Sequence, residues 1–222
     1  TMDAARDVFI GENIKLVEAV RAEGVEADGI VAGVIEADYL DKAKYGFVGE
    51  PTNVRLGMLR SIVKSGAVPI LTCLGIAPGG QLLNINGDSA TRAVVAALQP
   101  LKVIFLTGTG GLLDKHKRLM HSINLASDYE KLMKADWVNG GMRLKLAEIK
   151  KLLDALPLTS SVSITTPQGL VRELFTHGGS GTLIRQGEAI RTFTTKTRLD
   201  RERTIALVEA AFGRKLKADW WE

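Results

Sequence analysis

The chain has 222 residues, of which 45% are hydrophobic and 24% are charged, and its formal net charge is +4 at neutral pH. These values predict a soluble globular protein with one large core, because apolar runs such as residues 68–74 are far shorter than the ~20 residues of a membrane-spanning helix. The basic residues are scattered among acidic ones and only 5% of residues are aromatic, so the composition predicts no nucleic-acid partner and no membrane partner.

The first half of the chain alternates between helical and strand-like periodicity, which predicts a βαβ unit after an initial helix. Residues 36–52 lose this periodicity and contain several lysines, tyrosines and glycines, which suits a hairpin or a lid at the edge of a sheet. The predicted elements are a helix over 5–22, a strand over 29–35, a helix over 53–64 and a strand over 68–74.

The second half repeats the alternation. Strands that alternate with helices of 10 to 15 residues predict an α/β fold, a three-layer sandwich with a mostly parallel central sheet. The predicted elements are a helix over 88–98, a strand over 103–107, a helix over 142–156, a strand over 161–165, a short helix over 168–175 and a helix over 201–212.

The first candidate site is the segment Leu-Leu-Asn-Ile-Asn-Gly-Asp at residues 82–88. Strand alternation would place Asn84, Asn86 and Asp88 on one face. In one interpretation, Asp88 caps the following helix and the asparagines are turn residues. In the other, the amides hold a carboxylate or acyl substrate while Asp88 orients groups at a phosphate.

The second candidate is Lys145, which falls inside the apolar arc of the helix over 142–156. A buried lysine stem can simply extend past its neighbours towards solvent. Because the glycine pair Gly140 and Gly141 stands at the start of this helix, Lys145 could instead reach a transferring phosphoryl group as a compact positive charge.

Two glycine-rich segments, residues 107–111 and 178–182, follow or precede predicted strands. Glycines allow backbone N–H groups to approach a phosphate closely, although ordinary turns explain them equally well. Neither segment matches the Walker A or the dinucleotide-binding spacing, which disfavours those two classes. The residues of the first segment are Thr107, Gly108, Thr109, Gly110 and Gly111.

The remaining reactive side chains predict no metal site. His116, His121 and His177 show no metal-ligand spacing with the single cysteine, Cys73, and no G-x-S-x-G motif is present. One cysteine cannot form an internal disulfide, and no secretion leader precedes the first helix, so the sequence favours the cytoplasm or an organelle matrix.

Four segments resemble, in order and spacing, the N-acetylglutamate kinases of the amino acid kinase family: residues 65–70, 80–88, 108–113 and 140–146. The end of the chain, over residues 156–164 and 173–182, resembles the subgroup fused to an acetyltransferase, the bifunctional N-acetylglutamate synthase/kinases. The resemblance implies the amino acid kinase fold and transfer of the γ-phosphoryl group of ATP, with Mg²⁺, to the side-chain carboxylate of N-acetylglutamate in arginine biosynthesis.

The resemblance also implies roles for single residues. Asn84 and Asn86 are similar to the substrate-binding pair, Asp88 to the acid that organises the catalytic lysines, and Lys145 to the lysine that stabilises the transferring phosphoryl group. Residues 107–111 and Gly141 would line the nucleotide pocket. Residues 1–100 would then be the remainder of the substrate lobe and residues 101–222 the nucleotide lobe of one domain, with a homo-oligomer, an arginine effector and a tethered acetyltransferase as expected partners.

The family pattern expects a lysine-glycine-glycine strand, a second glycine loop and a substrate-gripping arginine before Thr1. The resemblance therefore predicts an N-terminally truncated kinase domain with impaired activity when isolated, located in the cytoplasm or, in a eukaryote, in the mitochondrial matrix. Two alternatives stay open: a silent kinase-like module that binds arginine and regulates an acetyltransferase, and a related kinase for aspartate, glutamate or carbamate.

Overall fold

The computed structural model describes residues 2–138, 140–176, 178–188, 195, 199–217 and 220. The chain forms two compact units, Thr1–Gly187 and Glu188–Glu222. None of the described helices is long and apolar enough to cross a membrane. The elements, in chain order, are α1 (Met2–Ala22), β1 (Ala27–Ile30), β2 (Ile35–Tyr39), α2 (Lys42–Tyr45), β3 (Val48–Val54), α3 (Leu56–Lys64), β4 (Val68–Leu71), β5 (Leu74–Ile76), β6 (Leu82–Ile85), α4 (Gly87–Leu98), β7 (Lys102–Leu106), β8 (Ser122–Asn124), α5 (Leu125–Lys134), α6 (Gly140–Asp154), β9 (Ser161–Thr165), a 3-10 turn (Pro167–Gly169), α7 (Leu170–Phe175), β10 (Thr182–Arg185) and α8 (Arg201–Phe212).

The strands of the first unit pair in three groups. β1 and β4 form a parallel pair, β2, β3, β6 and β5 close into a small barrel, and β7, β9, β10 and β8 form a four-stranded sheet. Among the described residues, five of the eight strand pairings are parallel. The predicted α/β class is therefore confirmed, with the difference that the strands are divided among three groups.

Two hydrophobic clusters stabilise the first unit. One contains Ile30, Leu83, Ile85 and their neighbours, between α3, α4 and the barrel strands. The other surrounds Leu146 and Ile164, where α5 and α6 contribute apolar faces to the four-stranded sheet. In each cluster, amphipathic helices bury their apolar faces against strands.

The two longest predicted strands are each divided in the structure, so the predictions of single strands over 29–35 and 68–74 were wrong. The first run forms β1 and β2, separated by a bend at Gly33, whose φ of 101° is unfavourable for other residues. The second run forms β4 and β5. β1 and β4 pair with each other in the two-stranded sheet, and β2 and β5 pair with each other in the barrel. Each apolar run therefore crosses from one sheet to the other.

The other predicted elements agree closely with the structure. The aperiodic segment forms the antiparallel hairpin of β2 and β3, with the short helix α2 between them. The helix expected from residue 53 begins at Leu56 because Asn53 and Val54 still pair with β2. Sequence analysis missed α5, although Asn124 caps its first turn.

Candidate active site

The start of α4 is capped by Asn86. Its side-chain oxygen accepts hydrogen bonds from the backbone N–H groups of Asp88, at 2.9 Å, and Ser89, at 3.3 Å. The interpretation of Asp88 as the helix cap was therefore wrong. Among the described residues, the exposed Asp88 carboxylate accepts no hydrogen bond and forms no ion pair. This carboxylate is thus available to a ligand or a neighbouring cation.

Asn84, Asn86 and Asp88 occupy three different kinds of position. Asn84 lies in β6, half-buried, and its backbone N–H donates to the Phe47 carbonyl at 2.8 Å. The strand ends at Ile85, so its alternation does not extend to Asn86 or Asp88. The three residues are grouped by the junction of β6 and α4, and the prediction that strand alternation aligns them was wrong.

Lys145 and Asp88 line the same narrow cleft, between α4 and α6. Lys145 is half-buried, and its Nζ lies 5.3 Å from the centre of the Phe105 ring on β7, within cation–π range. The cleft measures about 10 Å³, room for about one water molecule. The two predicted catalytic side chains therefore converge, and a polyphosphate would have to lie at the mouth of this cleft.

An ion-pair network next to this cleft escaped sequence analysis. Arg92 bridges Glu50 on β3, at 2.9 Å, and Glu148 on α6, at 3.3 Å. A hydrogen bond from Lys151 lowers the pKa of Glu148, against the effect of burial, and the charges of Lys151 and Arg92 add to the shift. Local spacing gives no signal for this network, because Arg92 lies one helical turn after Asp88 but pairs instead with Glu50 and Glu148, 42 and 56 residues away. These half-exposed pairs orient α4 and α6 more than they stabilise them.

The segment after β7 forms a tight turn at the carboxyl end of the four-stranded sheet. Thr107 donates its backbone N–H to the Thr165 carbonyl at 2.8 Å, and its hydroxyl accepts the Gly110 N–H at 3.2 Å. A side chain at Gly111 would place its Cβ 2.5 Å from the Thr182 hydroxyl. A larger residue at Gly111 would therefore require the Leu119 and Thr182 side chains to shift, while the space around Gly108 is open.

The second glycine-rich segment meets the first at the same edge. A Cβ at Gly181 would lie 1.9 Å from the Ile164 carbonyl and 2.9 Å from the Gly110 carbonyl, so only glycine fits. The Thr182 hydroxyl accepts the Leu112 N–H at 2.8 Å. Residues 107–111 and 178–182 are called the glycine edge below. Because β7 and β9 are parallel, this edge lies at the carboxyl ends of both strands, where open α/β sheets bind ligands.

The two helices that form the cleft pack on different strands. α6 packs against β9, to which the short connection 155–160 joins it, whereas α4 packs against β3 and α6. Asp88 is in the first turn of α4, and Gly141, which is exposed, is in the first turn of α6.

The described residues contain no group of three histidine, cysteine, aspartate or glutamate side chains placed to hold a metal ion. The groups available to a ligand are the Asp88 carboxylate, the Lys145 ammonium group and the backbone of the glycine edge. Such a set can hold and neutralise a phosphorylated ligand.

Comparison with known proteins gives three consistent similarities. The acetylglutamate kinase of Xanthomonas campestris is 50% identical over 216 residues, which are 97% of this chain and 51% of that protein. The mitochondrial protein arg-6 of Neurospora crassa is 45% identical over 88% of this chain and 22% of its own length. An N-acetylglutamate synthase structure from Neisseria gonorrhoeae, complexed with coenzyme A and L-arginine, is 19% identical with a TM-score of 0.63, over 90% of this chain and 50% of that one.

The chain spans about half the length of the bacterial acetylglutamate kinases it matches. The Neisseria structure, at its low identity, supports the fold alone. The sequence pattern of the amino acid kinase family matches residues 1–158, which include the cleft and the first segment of the glycine edge. The chain therefore belongs to the amino acid kinase family.

Proposed function

We propose that the chain is the greater part of an N-acetylglutamate kinase domain, which transfers the γ-phosphoryl group of ATP to the side-chain carboxylate of N-acetyl-L-glutamate in arginine biosynthesis. The observation that carries the proposal is that Asp88 and Lys145 line one cleft, between α4 and α6. The 50% identity to an acetylglutamate kinase supports this choice of acceptor.

The junction of β6 and α4 suits a carboxylate substrate. The Asn86 side-chain oxygen is engaged by the helix, which leaves its amide N–H₂ group to donate to a ligand. The positive end of the α4 dipole favours an anion at the same place. Asn86 and the half-buried Asn84 would therefore bind N-acetylglutamate.

Lys145 and Asp88 would act on the transferring group. The Lys145 ammonium can stabilise charge on the phosphoryl oxygens in a partly buried setting, where such interactions are strongest. Asp88 would orient that ammonium, since its own carboxylate has no competing partner among the described residues. Binding and orientation, more than covalent chemistry, account for most phosphoryl-transfer catalysis.

The glycine edge, with Thr107, Gly108, Thr109, Gly110 and Gly111, and the first turn of α6 at Gly141 would receive the nucleotide. Mg²⁺ bound together with the nucleotide would neutralise phosphate charge at this site. The open space at Gly108 and the φ of 71° at Gly110 fit a phosphate-binding loop.

The proposal extends to the organisation of the protein. The proposed lobes are a substrate lobe over residues 1–100 and a nucleotide lobe over residues 101–222. The two hydrophobic clusters, over residues 30–94 and 95–184, support a division near residue 100. A homo-oligomer and a tethered acetyltransferase domain belong to the same proposal. We place the protein in the cytoplasm or, in a eukaryote, in the mitochondrial matrix, in line with the mitochondrial relative from Neurospora.

The test is an assay of ADP release by the full-length protein with ATP, Mg²⁺ and N-acetyl-L-glutamate, compared with aspartate, glutamate and carbamate as acceptors. We expect N-acetylglutamate to be preferred, and Asp88→Asn to reduce turnover while an exposed control, Glu130→Gln, does not. Absence of turnover with N-acetylglutamate in the full-length protein would refute the proposal, and preference for another acceptor would replace its substrate.

A second candidate is a regulatory module that binds arginine and controls an attached N-acetylglutamate synthase. The 32% identity to human N-acetylglutamate synthase favours it. Retention of both Asp88 and Lys145 favours the kinase, because a purely regulatory domain needs neither. Calorimetry with arginine and with an ATP analogue separates the two, since the regulatory module would bind arginine without nucleotide.

A further inference from the structure

Four charged side chains beside the cleft form a network that the proposed chemistry does not use. Its members are Glu50 on β3, Arg92 on α4, and Glu148 and Lys151 on α6. Arg92 and Glu148 also line the cleft of the candidate active site. Because the network reaches into the cleft, its pairings decide which charges there stay available to a ligand.

The first acidic residue after Lys145 on α6 is Glu148, three positions further along. A lysine and a glutamate at this spacing are neighbours on the helix surface and commonly form an ion pair. Two such pairs do form on the same helix: Lys151 with Glu148, at 2.8 Å, and Lys150 with Asp154. Among the described residues, however, Lys145 forms no ion pair, and its Nζ lies over an aromatic ring instead.

The Glu148 carboxylate is occupied at both of its oxygens. Oε1 accepts a hydrogen bond from Lys151 Nζ at 2.8 Å, and Oε2 accepts one from the Arg92 guanidinium at 3.3 Å. The hydrogen bond from Lys151 and the charges of Lys151 and Arg92 lower the pKa of Glu148, so the carboxylate is charged at neutral pH. It is therefore an ion-pair partner that Lys145 would have if Arg92 did not hold it.

Arg92 is itself fixed by a second carboxylate. One of its terminal nitrogens lies 2.9 Å from Glu50 while the other reaches Glu148. A guanidinium can serve two carboxylates at once because its N–H groups form a planar fork. Asp88 lies four residues before Arg92, at the spacing of a helical ion pair, yet no pair with Asp88 forms among the described residues. The network thus satisfies its own charges and leaves those of Asp88 and Lys145 unpaired.

We infer that Arg92 is a positioning residue, which holds the Glu148 carboxylate and so keeps the Lys145 ammonium free to contact the transferring phosphoryl group. The inference rests on the proposed function, in that it takes Lys145 as the group that meets this phosphoryl. Without Arg92, one oxygen of Glu148 would be free to accept from Lys145. An ammonium neutralised in this way stabilises less of the charge that develops in the transition state.

The variant Arg92→Met tests this, because it removes the guanidinium and keeps an apolar stem. In the full-length protein we expect the kcat for N-acetylglutamate phosphorylation to fall about fivefold, which corresponds to the upper end of the strength of half-exposed ion pairs. The KM values should change less, because Lys145 acts mainly in the transition state. Should Arg92→Met fail to fold, Arg92→Gln replaces it, because it keeps a polar side chain at this half-exposed position.

The decisive comparison adds Glu148→Gln to Arg92→Met. The neutral amide cannot neutralise Lys145, so the double variant should recover most of the lost kcat. A network that only orients the two helices, or an Arg92 charge that acts directly on phosphate, predicts no recovery. Arg21→Met is the matched control, since Arg21 is 52% exposed, pairs with Asp28 at 3.1 Å and does not line the cleft. It should keep the parent kcat.

A crystal structure of Arg92→Met gives a readout that does not depend on turnover. Lys145 Nζ should lie within about 4 Å of a Glu148 oxygen, the usual limit for an ion pair. An unchanged kcat in Arg92→Met, no recovery in the double variant, or a Lys145 that stays apart from Glu148 in this structure would overturn the inference. A parent protein that does not phosphorylate N-acetylglutamate refutes the proposed function, and the structure of Arg92→Met then decides the inference alone.

Discussion

Two carboxylates of this chain, Asp88 and Glu173, lie in opposite surroundings. Asp88 is exposed in the first turn of α4 and has no hydrogen-bond or ion-pair partner among the described residues. Glu173 is buried, paired with Lys102 and bonded to two loop amides. The difference fits the role proposed for Asp88, whose bonding capacity is free for a ligand, whereas the bonds of Glu173 are made within the fold.

The largest expected effect is that of replacing Lys145, which lines the same cleft as Asp88. In the full-length protein, Lys145→Met should lower kcat by about 10² to 10³, the usual result of removing one preorganised charge-stabilising group. The KM for either substrate should change less, because the ammonium acts mainly in the transition state. Steady-state kinetics would measure both constants.

Lys134→Met is the control for this substitution, since Lys134 is 79% exposed on α5 and does not line the cleft. If Lys145→Met turns over substrate as fast as the parent, Lys145 is not catalytic. Its contact with Phe105 would then be a packing interaction only.

A second effect concerns stability in acid and belongs to Glu173. Its pKa is lowered from 4.5 to about 2 on folding, so its contribution is complete above pH 4.5 and is lost as the pH falls towards 2. The two values correspond to roughly 3 kcal/mol at neutral pH. Glu173→Gln should therefore lose this amount at neutral pH and progressively less in acid, as measured by denaturant unfolding at a series of pH values.

Parallel stability curves for the parent and Glu173→Gln between neutral pH and pH 3 would contradict this account. The same series for Glu130→Gln should follow the parent at every pH, because Glu130 is 79% exposed and only weakly paired.

The smallest expected effect separates the capping of α4 by Asn86 from its proposed role in substrate binding. Asn86→Ala removes both the helix cap and the amide, and should cost about 1 kcal/mol of stability and raise the KM for N-acetylglutamate. Asn86→Ser keeps an oxygen that can cap α4 but has no amide N–H₂ group, so stability should persist while the KM still rises. If Asn86→Ser also keeps the parent KM, Asn86 is a cap only.

Much of the fold was predictable where periodicity and burial agree. β9 is buried along its whole length and was predicted with its observed bounds, and α4 begins one residue before its predicted start. The bend at Gly33 was not predictable, because an apolar run looks the same whether its halves join one sheet or two. α5 was predictable from the sequence, because Asn124 caps its first turn.

The site was predictable to a similar extent. The sequence indicates Asp88 and Lys145 from their places at helix starts. Both residues line one cleft because α4 packs against α6, a contact that local sequence does not specify. The burial of Glu173 was not predictable from the sequence. Its partner Lys102 lies 71 residues away, and nothing local distinguishes a buried glutamate from an exposed one.

The chain crosses from the two-stranded sheet to the barrel at two adjacent points, after Ile30 and after Leu71. The crossings are tied together, because Thr72 donates its backbone N–H to the Ile30 carbonyl at 3.1 Å and its hydroxyl to the Val31 carbonyl. A single covalent link would let one group of strands swivel about a few backbone bonds. Two links joined by hydrogen bonds resist such rotation. In any domain movement, we therefore expect the two-stranded sheet and the barrel to move together as one rigid body.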